Sequence, residues 1–141
     1  MTYNIRESVT DTIAVGFTLA DGTSISSGSA VPYATEDGTS GHGVTVSSGV
    51  VTLPAGEYIC MFSLETANNS THTADIYLDG SIASDFPKIE CFNNSHTQTD
   101  LNTTAIPVRS DGTTTVELRV GTSASTYSDA SDLVIYGVKT S

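Results

Sequence analysis

The residues able to do chemistry are few and scattered. Three histidines, His42, His72 and His96, sit in polar stretches and share no metal-ligand spacing. His42 lies in Gly41-His42-Gly43, the kind of stretch that builds an oxyanion loop. That loop works only beside a nucleophile-elbow strand-turn-helix, and none is written here. The acidic pairs Glu36/Asp37 and Asp129/Asp132 could offer oxygens to calcium, but no EF-hand order of ligands surrounds them, so they read as solvated loop. Serine and threonine are so frequent that a triad assembled from them on paper carries no weight. Cys60 and Cys91 each fall inside an apolar run, which marks them as buried free thiols. No catalytic residue, metal site or cofactor is expected, and the chain reads as a non-enzyme.

The bulk composition agrees. Sixteen acidic residues face five basic ones in 141 residues, for a net charge of −11. Such a chain repels phosphate backbones, which excludes nucleic acid as a partner. No run reaches the ~20 apolar residues of a membrane helix, and Met1–Ser8 has no apolar h-region, so neither a membrane partner nor secretion is expected.

The elements that would carry any site are strands. The longest apolar stretch, Val50–Leu64, is broken by Pro54-Ala55-Gly56, after which Tyr58, Cys60, Phe62 and Leu64 alternate onto one face. Ile13, Val15, Phe17 and Leu19 form a first strand of the same kind. Ser48-Gly49 turns Val44–Val46 into Val50–Leu53, and Asp79-Gly80 makes Thr73–Ile82 a hairpin. Ala105–Val108 and Thr115–Val120 are expected to form another across Arg109–Gly112. Leu133-Val-Ile-Tyr-Gly-Val138 is apolar throughout, as in a strand covered on both faces. About eight to ten short strands and no helix predict an all-β antiparallel sandwich, with the first and last strands side by side. Residues 1–12 read as an N-terminal arm and 13–141 as the domain.

Three pieces together resemble one family. Thr52-Leu-Pro-Ala-Gly-Glu-Tyr58 resembles the Pro-x-Gly-x-Tyr corner and strand of the tumour necrosis factor and complement globular-head family. Leu133–Val138 looks like that family's last strand, and Ile106–Leu118 like its late hairpin. Cys60 stands where that family commonly has a second aromatic. The resemblance implies a jelly roll that closes into a homotrimer, with Tyr58, Ile135 and Gly137 near the threefold seam. By the same resemblance, a bare acidic, hydroxyl-rich module is similar to bacteriophage virion proteins. The expectation is a capsid decoration, or cement, trimer in the virion, whose partner is the major capsid protein. Tyr3, Ile5 and Arg6 of the arm would grip the shell. The alternative is a receptor-binding or adhesive fibre tip that touches a host glycan or protein through loops bearing Tyr33, His42 and Tyr127.

Overall fold

A computed structural model describes residues 11–20, 22–35, 43–66, 72–86, 88–91, 100–121, 125–127 and 131–140. Two antiparallel sheets pack face to face, and no helix occurs among the described residues. The larger sheet is built on β6 (Gly56–Thr66), which pairs along its whole length with β10 (Asp100–Ser110). On its other side β6 pairs with β13 (Asp132–Lys139), and β13 pairs with β1 (Asp11–Thr18). The short β3 (Ala34–Thr35) continues from β1, while β12 (Ser125–Tyr127) and β2 (Thr23–Ile25) extend the sheet beyond Thr66. The smaller sheet runs β4 (Thr45–Ser47), β5 (Val50–Thr52), β11 (Thr115–Val120), β7 (His72–Leu78), with β8 (Ser81–Ile82) and β9 (Ile89–Cys91) sharing the far edge of β7.

Period-two alternation explains the core. On the larger sheet Ile13, Val15, Phe17, Tyr58, Phe62, Leu64, Ile106, Leu133 and Ile135 point inward and are buried. They meet Val51, Ala74, Ile76, Val116, Leu118 and Val120 of the smaller sheet in one continuous core. Cys60 is buried among them and free, and that burial pushes its thiol up to about 12.

The expected hairpins divide. Ser48 and Gly49 take positive φ between β4 and β5, and Asp79 and Gly80 do so between β7 and β8, the geometry a two-residue hairpin turn needs. β10 and β11 do not pair with each other. The Arg109–Gly112 turn instead carries the chain from one sheet to the other. Buried Ser110 holds that corner by donating to the Leu53 carbonyl (2.8 Å) and accepting from the Gly112 N–H (3.0 Å). Both partner strands lie elsewhere in the chain, so a local turn signal could not reveal the crossing. β1 opens at Asp11, which makes Asp11 and Thr12, assigned to the arm by sequence, part of the sheet opposite Lys139 and Val138. Among the described residues there are thirteen strands against the expected eight to ten, because pieces of two or three residues flank the long ones.

Candidate protein interface

The outward-facing residues of the larger sheet have a different character from its inner face. Cross-strand register lines them up in rows. Pro107, Ile59, Tyr136 and Ala14 stand side by side, and Ala105, Met61, Val134 and Gly16 form the next row. Arg109, Glu57, Val138 and Thr12 follow at one end. At the other end the Ser63 and Thr103 hydroxyls share a hydrogen bond of 3.0 Å. The centre of the face is thus apolar over four adjacent strands. Ile59 is 48% exposed, Tyr136 54% and Val138 39%, and a shallow depression runs between Ile59, Pro107, Tyr136 and Val138. Leaving three large apolar side chains half in water costs part of the hydrophobic gain that their burial would bring.

Charge borders this stripe without crossing it. Arg109 donates from both Nε and Nη2 to Glu57 Oε1, an ion pair in open solvent that pushes the arginine pKa up. On the opposite side of the molecule Arg119 donates to buried Glu117 (2.6 Å) and lays its guanidinium 4.3 Å from the Tyr77 ring. The Tyr77 ring is thus occupied by its own sheet.

The sequence matches no protein-family model and no curated protein. Solved structures do share its shape. Eiger, a TNF from S. frugiperda, superposes with a TM-score of 0.69 over 92% of this chain and 94% of its own, at 11% identity. The globular domain of zebrafish complement 1qA protein gives 0.64 over 88% and 94%, at 10% identity. Murine APRIL at pH 5.0 gives 0.67 over 89% and 99%, at 10% identity. The fold is the TNF and complement-head jelly roll. At such identities the likeness is one of fold.

Within this jelly roll the residues expected at the seam face inward. Tyr58 and Ile135 are buried between the sheets, and Gly137 faces Tyr58 across the β13–β6 pair. A Cβ on Gly137 would come 2.2 Å from the Glu57 carbonyl oxygen and 2.6 Å from Tyr58 Cδ1, so this glycine serves the packing of its own sheet. The outward positions on the same strands are Ile59, Tyr136 and Val138, which sequence reasoning missed. Their signal was present in the unbroken apolar run of β13, which needs a second cover once one face is filled.

Tyr33 is corrected too. It is buried, packs against Phe62 with ring centroids 6.3 Å apart, and donates its hydroxyl to the Ser63 carbonyl (3.0 Å). It ties the segment leading into β3 to β6 and is closed to a partner. Tyr127 lies in β12 opposite Thr23 and Thr66, and its side chain is outside the described residues. His42, Tyr3, Ile5 and Arg6 also lie outside them. Among the described residues no three His, Cys, Asp or Glu side chains gather where a metal could sit.

Proposed function

We propose that this jelly roll is a non-catalytic homotrimeric binding module, closed around the outer face of its larger sheet, and that the trimer decorates a bacteriophage head. One observation carries the self-association: the half-exposed Ile59 and Tyr136 lie at the centre of an apolar face, Val138 extends it toward one end, and the charges are confined to its rim. A contiguous apolar patch with a polar border is how a protein–protein interface differs from ordinary surface. The threefold closure follows the family resemblance, in which each subunit offers this sheet to its neighbours. The decoration role is supported by the acidic, hydroxyl-rich composition and by that same resemblance to virion modules. As a cement, the trimer would act by linkage, binding the assembled shell and thereby stabilising it.

Sedimentation of the purified chain at micromolar concentration should give a trimer. Tyr136→Asp, at a position already open to solvent, should give a folded monomer with unchanged far-UV circular dichroism. A parent chain that stays monomeric refutes the seam. Purified trimer mixed with undecorated heads should bind saturably at local threefold sites and raise the shell's melting temperature. Heads left unchanged while host cells are bound would replace decoration with adhesion.

A further inference from the structure

We infer that assembly at this face is gated by ionic strength, being weak in dilute salt and strong near physiological salt. The inference rests on the seam proposed above and deepens it by naming what opposes closure. Each subunit carries a net charge of −11, so every subunit brought to the seam repels the others. The described arginines do nothing to relieve this between subunits. Arg109 is already spent on Glu57 and Arg119 on Glu117, each within its own sheet. Lys88 lies on the far edge beyond β8, away from the apolar stripe, and Lys139 closes β13 on the inward parity, opposite Asp11 and Gly56. Among the described residues, the charges of outward parity on the stripe's own face are Glu57 at one end and Glu65 and Asp132 at the other, with Arg109 as the one arginine beside them.

The two opposing forces differ in range. Burial of Ile59, Tyr136 and Val138 acts at contact and is indifferent to moderate salt. Repulsion acts over the Debye length, about 8 Å at 0.15 M and about 30 Å at 0.01 M. A domain of 141 residues has a radius of gyration of about 14 Å, so packed neighbours sit roughly 30 Å apart, centre to centre. At 0.01 M salt that separation is one Debye length, and about a third of the unscreened repulsion survives. At 0.15 M it is several lengths, and the apolar contact acts almost unopposed.

Sedimentation equilibrium at constant pH, across sodium chloride from 0.01 to 0.3 M, tests this. The concentration at which half the chains are trimeric should fall at least about tenfold between 0.01 and 0.15 M. Asp85→Lys alters an exposed turn residue of the opposite sheet edge and changes the net charge from −11 to −9. Because repulsion scales with the product of charges, it should drop by about a third. The variant should therefore trimerise at lower concentration than the parent in 0.01 M salt and match it in 0.3 M. A trimer whose midpoint is flat in salt, or rises with salt, overturns the gating and leaves the seam standing. A chain monomeric at every salt concentration overturns both.

Discussion

Replacing Gly137 by alanine should be among the most damaging single-methyl changes this domain can receive. The new Cβ would stand 2.2 Å from the Glu57 carbonyl oxygen, 2.6 Å from Tyr58 Cδ1 and 2.7 Å from Tyr58 Cα. Two of these three atoms are backbone of the neighbouring strand, so no rotamer change relieves the clash. β13 would have to move off β6 by about 1 Å at the Gly137–Tyr58 pairing, straining the ladder bonds on either side. Overpacking of this kind costs roughly 1–3 kcal/mol, and each weakened ladder bond adds about 0.5–1.5 kcal/mol. The entropy gained by losing a strand glycine returns only about 0.5–1 kcal/mol. The net loss is about 3 kcal/mol. With an unfolding entropy near 2.1 cal/mol/K per residue, this lowers Tm by about 10 °C. Gly16→Ala is the matched control, because a Cβ there meets nothing within 4 Å and the position lies on the outer face. It should leave Tm unchanged or slightly raised. Thermal unfolding followed by circular dichroism at one fixed, dilute protein concentration keeps association from shifting the comparison. A Gly137→Ala protein melting within 2 °C of the parent, or a Gly16→Ala loss of equal size, would refute the reasoning.

Two further outcomes follow from buried polar groups. Ser131 is wholly buried, with Oγ accepting the Glu65 N–H (2.8 Å) and donating back to the Glu65 carbonyl (3.4 Å). Ser131→Ala strips that N–H of its partner and should cost about 1–3 kcal/mol in urea unfolding, whereas an unchanged midpoint would mean that water replaces the hydroxyl. The Cys60 thiol ionises near 9 when exposed and near 12 in the fold, and desolvation, followed by the nearby Cys60 charge, raises Tyr58 as well. Below pH 9 the thiol is neutral in both states and its titration leaves stability alone. Above pH 9 the unfolded chain holds fewer protons, so stability should fall by about 1.4 kcal/mol per pH unit toward pH 12 from this group. Cys60→Ala should flatten that slope, and an alkaline profile identical to the parent's would rule the thiol out.

What could be read from sequence was decided by parity. Tyr58, Cys60, Phe62 and Leu64 fall on one parity, which the polar Glu57, Ser63 and Glu65 mark as inward from the ends of the strand, and the inward face of Ile13, Val15 and Phe17 was legible against Ala14 and Gly16. The pairing of β1 with β13 was legible from two apolar strands at opposite ends of the chain. Between Leu133 and Val138 every position of β13 is apolar or glycine, so the sequence holds no parity signal there, and Ile135, expected at a seam, is instead buried between the sheets while Tyr136 faces outward. Tyr33 was expected on a contact loop but is buried. A tyrosine can bury its ring against Phe62 and still satisfy its hydroxyl at a strand carbonyl, which composition does not reveal. The turn after β10 carried ordinary hairpin residues because a corner between sheets needs the same ones. Only the long-range grip of Ser110 on Leu53 distinguishes the two.

The pairing of Asp11 with Lys139 bears on how the molecule can be built upon. Opposed residues in an antiparallel ladder have Cα atoms about 5 Å apart. The chain enters and leaves the sandwich at one pole, on adjacent strands. A few residues of linker would splice these points, and new ends could be cut at the exposed Asp79-Gly80 turn without parting the larger sheet. Cargo fused before Asp11 or after Lys139 would emerge on the same side, so a threefold assembly would hold its passengers in a single tight cluster.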